Sequence, residues 1–129
     1  MNRMPPITRE WLIVNAFCDL GVDTSLKGYY YAKRGVELIL EDVTNLNGFV
    51  TLYTKIGHEY HGDYRSIERS IRHMIKQAMK EPTREFVWMF GGSRPTPSRF
   101  LTAIVENIRV YDTALIRPQT VDEPNYAAL

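Results

Sequence analysis

Residues 61–80 read HGDYRSIERSIRHMIKQAMK, a short turn followed by one long amphipathic segment. At about 100° per residue, as in an α-helix, the apolar side chains of this segment fall on one face. They are Ile67, Ile71, Met74, Ile75 and Ala78. The basic side chains fall within an arc of about 100° on the opposite face. They are Arg65, Arg69, Arg72, His73, Lys76 and Lys80. The pattern predicts a helix from about Tyr64 to Lys80 that is buried on one side and basic on the other.

A second amphipathic segment, from about Phe49 to Tyr60, comes directly before the turn. We expect His61, Gly62 and Asp63 to form a tight turn in which the glycine permits a positive φ. Two helices joined by a short turn containing glycine are typical of a helix-turn-helix. In that motif the second helix lies in the major groove of DNA. Many helix pairs share the pattern, so the placement of charge on the second helix has to support the interpretation.

Helical periodicity dominates the rest of the chain, and no pair of alternating strands stands out. We expect Thr8 and Thr96 to cap the first and last helices, and one of Asp23, Thr24 and Ser25 to cap the second. The approximate spans are Thr8 to Leu20, Leu26 to Glu41, Phe49 to Tyr60, Tyr64 to Lys80, Thr83 to Phe90, and Thr96 to Tyr111. The sequence therefore predicts an all-α fold of about six helices around a helix-turn-helix.

The predicted organisation is a single domain with short ends. Residues 1–7 form an irregular lead, because adjacent prolines block helix there. Residues 8–111 form the helix-turn-helix domain, with a loop at Asn45–Gly48. Residues 112–129 form a loose tail, since the apolar stripe fades after Tyr111 and prolines follow.

Charge is concentrated on the second helix of this predicted motif, from about Tyr64 to Lys80, which we call the reading helix. The 129-residue chain has a formal net charge of only +1. From Asp63 to Lys80, five lysines and arginines stand against two acids, a balance of +3. The case for nucleic-acid binding therefore depends on where the charges lie.

The composition also indicates the cellular compartment of the protein. The chain has one cysteine, Cys18, which forms no intrachain disulfide and suits a reducing compartment. We expect its side chain to be a small buried one on the first helix. No apolar run approaches the roughly 20 residues that span a membrane, and residues 1–6 do not resemble a signal peptide. These features favour a cytoplasmic protein.

The outer face of the reading helix has the chemistry of a groove reader. Arginine can donate twice to guanine O6 and N7, and Glu68 can accept from the amino group of cytosine. Lysines on the same face would neutralise phosphates. This interpretation requires the guanidinium groups of Arg69 and Arg72 to stand free in solvent and to point the same way.

These residues also permit other interpretations. A charged helix face is often only solvated surface. His58, His61 and His73 lack the cysteine pair or third ligand of a zinc site, so we expect no metal and no cofactor. Residues 91–93, Gly-Gly-Ser, lack the strand and lysine of a phosphate loop. No pair of titratable groups stands at a convincing spacing for catalysis, so we expect no enzyme. A protein-interaction module that keeps this fold but binds another regulator stays open as the alternative.

Several segments together resemble a known family. They are residues 66–73 (SIERSIRH), residues 20–22 and 26–31 (LGV and LKGYYY), and residues 89–91 and 94–96 with Ser98 and Phe100 (MFG and RPT). From about Thr8 to Tyr111 the chain is similar to the C-terminal DNA-binding effector domain of the sporulation initiation master regulator of Firmicutes. The resemblance implies a six-helix transcription factor that binds short promoter boxes in double-stranded DNA, commonly as adjacent copies that touch each other.

The resemblance also implies roles for individual residues. Glu68, Arg69 and Arg72 match the base-reading positions of the family, and Ser66 and His73 match flanking positions near the DNA backbone. Taken with the basic arc, the candidate DNA-binding residues are Arg65, Ser66, Glu68, Arg69, Arg72, His73, Lys76 and Lys80.

The sequence departs from the family in four respects. Only about seven residues precede the domain, so control through an attached receiver domain is not implied. The connection between the fifth and last helices is shorter. The turn is more acidic, with Glu59 and Asp63 where repulsion from phosphate would lower affinity. Arg65 precedes Ser66, whereas the family places an arginine after its serine, and this could shift the half-site preference.

Overall fold

A computed structural model describes residues 8–117 and, among these, the side chains of residues 8–111. Within that range the chain forms six α-helices and one 3-10 helix, and it contains no strand. The α-helices are α1 (Arg9–Asp19), α2 (Lys27–Glu41), α3 (Phe49–Tyr60), α4 (Tyr64–Ala78), α5 (Arg84–Phe90) and α6 (Pro97–Arg117). The predicted all-α class with about six helices is confirmed.

Helix α4 lies at the centre of the packing. Helices α2 and α3 both pack against it, and α6 contacts α4 as well as α1 and α2. Its buried side chains are the apolar set that periodicity predicted, and none is more than 5% exposed. They are Ile67, Ile71, Met74, Ile75 and Ala78. Because neighbouring helices cover this face, the opposite face of α4 points outward.

An aromatic cluster fixes α6 relative to α1 and α5. The Phe100 ring lies against the rings of Phe17, Phe86 and Phe90, with centroid distances of 6.2, 6.3 and 5.4 Å. Phe17, Phe86 and Phe100 are at most 1% exposed. Rings at these separations add some stabilisation to the burial of their area.

Two of the expected helix caps are confirmed. The Thr8 side chain accepts a hydrogen bond from the Trp11 amide at 3.1 Å, and the Thr96 side chain accepts one from Arg99 at 3.2 Å. Each bond satisfies a backbone donor that the first turn of a helix leaves without a partner.

The expected cap of α2 is wrong. Leu26 occupies the N-cap position and makes no side-chain capping bond. The Asp23 carboxylate instead accepts from the amide and the hydroxyl of Ser25, at 2.9 and 2.7 Å. Asp23 therefore closes its own turn four residues before the first residue of the helix, Lys27, as aspartate often does in turns.

The loop expected at Asn45–Gly48 is mostly a 3-10 helix, Val43–Asn47. Asp42 caps it by accepting from the Thr44 amide at 3.0 Å. The Asn45 side chain is buried and donates to the Leu38 carbonyl at 2.9 Å, so this segment is anchored to α2. A polar residue buried with its partners stabilises a segment that looks like a loop in sequence.

Helix α6 continues to Arg117, six residues past its predicted end at Tyr111. The residues after Tyr111 include alanine, leucine and arginine, which favour helix, and Pro118 is the first proline to follow. The predicted lead, residues 1–7, and residues 118–129 of the predicted tail lie outside the described residues.

Cys18 is exposed, contrary to its expected burial. It follows Phe17 on α1, and Phe17 takes the position that faces the core. No helix in the described part of the chain is long and apolar enough to cross a membrane.

Candidate nucleic-acid interface

The turn between α3 and α4 is built differently from the sequence expectation. His61, not Gly62, adopts the left-handed conformation, with φ 62°. The Gly62 amide donates to the Gly57 carbonyl at 2.9 Å, which closes the end of α3 in a Schellman-like arrangement. A Cβ on Gly57 would lie 2.3 Å from the Gly62 carbonyl oxygen. The turn therefore needs a glycine at 57 for close approach, and it needs no positive φ at Gly62.

Helix α4 begins with a local cap that engages Ser66. The Asp63 carboxylate accepts from the Ser66 amide at 2.8 Å, and the Ser66 hydroxyl donates to the Asp63 carbonyl at 2.9 Å. The Ser66 amide is the main cause that lowers the pKa of Asp63. The carboxylate of this acidic turn therefore faces the positive end of the α4 dipole and stabilises it.

The structure places all eight candidate residues on α4 or just beyond its end. The exposed ones are Arg65, Arg69, Arg72, His73, Lys76 and Lys80, and the half-buried ones are Ser66 and Glu68. Lys80 lies two residues after Ala78, the last residue of the helix. The basic side chains that the sequence places on one arc are therefore all exposed to solvent.

The expectation of two free guanidinium groups holds for Arg69 only. Arg69 makes no ion pair with any residue that the structure describes. Arg72 Nη2 lies 3.3 Å from Glu68 Oε1, one helical turn away. The Arg72 side chain is 51% exposed, and exposed pairs at this spacing contribute only about 0.3–0.5 kcal/mol. The pair holds Arg72 loosely and leaves it able to turn toward a ligand.

Arg65 is oriented by its neighbour. Its Nε donates to the Tyr64 hydroxyl at 3.2 Å, and its guanidinium lies 5.6 Å from the centroid of the Tyr64 ring. The Tyr64 hydroxyl is the main cause that raises the pKa of Arg65. Arg65 therefore stays a cation held close to the N-terminal end of α4.

Glu59, the other acid near the turn, is bound within the fold. Arg34 of α2 donates from Nε and Nη2 to its two carboxylate oxygens, at 2.8 and 3.1 Å. This two-point contact lowers the pKa of Glu59. Arg34 also reaches Glu37 and Glu41 of its own helix. The charge of Glu59 is thus partly offset by Arg34, which reduces the repulsion from phosphate that the sequence suggested.

Three residues of this region were missed by sequence reasoning. Tyr64 directly precedes Arg65, and an aromatic residue beside an arginine is a signal that was available. Arg34 of α2 contacts Glu59 of α3, and Tyr53 of α3 has a buried hydroxyl without a partner among the described residues. Only the packed fold reveals these two.

No cluster of three metal-binding side chains occurs among the described residues. The interface instead combines cationic groups with one half-buried carboxylate on one exposed helix face. Such a surface is suited to a polyanion that also presents hydrogen-bonding groups.

Five helices surround a central helix whose outward face is basic, an arrangement typical of small all-helical DNA-binding domains. The family model described as "Sporulation initiation factor Spo0A C terminal" matches residues 13–108, from within α1 to within α6. The match covers well over half of the chain, and the chain therefore belongs to this family of DNA-binding domains of sporulation transcription regulators. The family is a regulatory one and is not a family of enzymes.

Proposed function

We propose that this protein binds double-stranded DNA in a sequence-specific manner and so regulates transcription. The exposed basic face of α4 carries the proposal, because it presents three arginines, one lysine and His73 opposite the buried stripe, with Lys80 just beyond the end of the helix. In this proposal α4 enters the major groove, as the second helix of a helix-turn-helix does. A protein that reads the chromosome of a bacterium acts in the cytoplasm.

Each group of side chains has a separate task in the proposal. Arg69 and Arg72 donate to guanines, and Glu68 accepts from a cytosine. Arg65, Lys76 and Lys80 engage phosphates and supply most of the affinity, which therefore falls with salt. His73 and Ser66 lie beside the DNA backbone. Two copies bind adjacent sites as a homodimer.

The test begins with selection of bound sequences from a random duplex library. For the selected duplex, we expect Arg69→Ala to lose about 1–3 kcal/mol of binding free energy and to relax discrimination at one base pair. The reason is that Arg69 has no competing partner in the described fold and can form both bonds to a guanine. Fluorescence anisotropy titrations of the wild type and the variant measure the change.

Arg84→Ala is the matched control for Arg69→Ala. Arg84 is exposed on α5, outside α4, and its removal causes the same change in net charge. We expect it to keep both the affinity and the base preference. Equal binding of wild type and Arg69→Ala to the selected duplex would refute the reading role.

A protein-interaction module is the second candidate, and one observation favours it. Trp88 on α5 is 84% exposed, and the neighbouring Val87 is 48% exposed. Large exposed apolar side chains are typical of surfaces that contact other proteins. A titration with pooled random duplexes at low salt distinguishes the candidates: affinity that falls steeply with salt supports DNA binding, and no binding favours the module.

A further inference from the structure

The hydroxyl of Tyr53 on α3 is unusual in this fold. Tyr53 is only 3% exposed, and its ring lies 5.9 Å from that of Phe49. Its hydroxyl oxygen is buried and makes no hydrogen bond with the residues that the structure describes. Buried tyrosine hydroxyls usually find a partner, so an unpaired one requires an explanation.

The charged groups that act on this hydroxyl belong to α4. Helix α3 packs directly against α4. Burial is the main cause that raises the pKa of Tyr53, the negative charge of Glu68 raises it further, and the positive charge of Arg72 opposes the increase. A tyrosine hydroxyl is protonated at neutral pH, so that of Tyr53 is an unpaired donor on α3, which packs against the helix that carries Glu68.

Glu68 has a partner that binding to DNA would remove. In the structure its Oε1 lies 3.3 Å from Arg72 Nη2. That separation is longer than the roughly 2.7–2.9 Å of a strong charge-assisted hydrogen bond. If Arg72 turns to a guanine, as the proposed function requires, it leaves Glu68. The half-buried carboxylate would then lose its partner beside a polyanion.

We propose that Tyr53 is a positioning residue for DNA recognition, whose hydroxyl donates to the Glu68 carboxylate when Arg72 turns to the DNA. This inference rests on the proposed function. The new bond holds Glu68 on the side facing α3 and leaves its other oxygen to accept from a cytosine amino group. The bond exists only in the complex, which explains why the hydroxyl is unpaired in the structure.

Tyr53→Phe tests the inference, because it removes the hydroxyl and keeps the ring. We expect its thermal unfolding midpoint to be no lower than that of the wild type, since the free protein has no bond to lose. We expect its affinity for the selected duplex to fall about tenfold, in the range for one hydrogen bond to a charged group. Discrimination at the base pair read by Glu68 should fall as well.

A double-mutant cycle separates positioning from a structural effect. In the Glu68→Ala background, Tyr53→Phe should cause no further loss of affinity, because the hydroxyl then has no acceptor. An equal loss in both backgrounds would overturn the inference. So would a lower unfolding midpoint for Tyr53→Phe alone, which would show that the hydroxyl is already bonded in the free protein.

The outcomes also distinguish this inference from the proposed function. If the wild type binds the selected duplex and Tyr53→Phe binds equally well, the positioning role is wrong and DNA binding stands. If the wild type shows no salt-dependent binding to any duplex, the proposed function fails and the role of Tyr53 fails with it.

Discussion

Arg34, Arg69 and Arg72 carry the same charged group, but they have very different surroundings. Arg34 is bound at two points by Glu59 and its side chain is 28% exposed. Arg72 has one loose partner, and Arg69 has none among the described residues. A guanidinium that is already fully paired cannot also serve a base without losing those bonds. An exposed arginine that makes few or no ion pairs within the fold is therefore the better candidate for contacting a base.

Thr83 links two helices through one hydroxyl. Its Oγ1 donates to the Asp19 carbonyl at the end of α1, at 2.7 Å, and accepts from the Phe86 amide in α5, at 3.0 Å. We expect Thr83→Ala to lower the free energy of unfolding by about 1–2 kcal/mol, because it removes a cap and a bond between helices. Urea denaturation measures the change.

Thr83→Ser is the matched control, because it keeps the hydroxyl. It loses only a methyl group, which lies near Gly21. We expect it to retain most of the stability. If the serine and alanine variants are equally destabilised, the hydroxyl has no role and the methyl contact accounts for the loss.

At the scale of elements, the contact between α2 and α4 sets the position of the basic face. A Cβ on Gly28 of α2 would lie 2.2 Å from the Ser70 carbonyl oxygen and 2.9 Å from the Met74 Cβ of α4. The two helix backbones therefore touch at Gly28. Any side chain there must push α4 away from α2.

Gly28→Ala should consequently destabilise the fold by about 1–3 kcal/mol, the usual cost of overpacking a core. It should also weaken DNA binding, since α4 is displaced. Gly35→Ala is the control on the same helix: its Cβ would meet only the ends of side chains, at 3.4 Å or more. That variant should be neutral or slightly stabilising, because alanine favours helix over glycine. The thermal unfolding midpoints of the two variants test this prediction. Equal midpoints would contradict the close contact between α2 and α4 at Gly28.

Periodicity in the sequence was enough to predict the helices and the buried face of α4. The same turn of helix, 100° per residue, relates the buried stripe to the basic arc, so both follow from one pattern. Periodicity could not predict the cap of α2 or the conformation of His61. The cap and the turn depend on which of several polar or glycine residues contacts a particular backbone group, and this is determined only when the chain is packed.

The candidate interface shows the same division. The eight candidate residues lie on one segment and could be found by spacing alone. The pair of Glu68 and Arg72 also follows from a four-residue spacing. The contact of Arg34 with Glu59 joins residues 25 positions apart. The surroundings of the Tyr53 hydroxyl likewise depend on how α3 packs against α4, which no local pattern specifies.

At the scale of the whole molecule, several carboxylates stabilise the folded state through bonds absent in the unfolded chain. The pKa values of Asp23, Asp42, Glu59 and Asp63 are all lowered in the fold. The partners of the first two are Ser25 and Thr44, that of Glu59 is Arg34, and that of Asp63 is the start of α4. Each group binds protons more weakly when folded than when unfolded.

Stability should therefore fall in acid. Below the ordinary pKa values, 4.5 for glutamate and 3.8 for aspartate, the unfolded chain takes up protons before the folded one does. The stabilisation is complete above those values and is lost as the pH falls through the lower pKa values of the folded state.

Glu59 is the group to test, because its pKa is lowered mainly by the two-point contact with Arg34 that joins α2 to α3. We expect the thermal midpoint of the wild type to fall more steeply than that of Glu59→Gln between about pH 5 and about pH 3. Parallel curves for the two proteins would show that the pair between Arg34 and Glu59 contributes nothing to folding in solution, and that the acid sensitivity comes from the helix and turn caps alone.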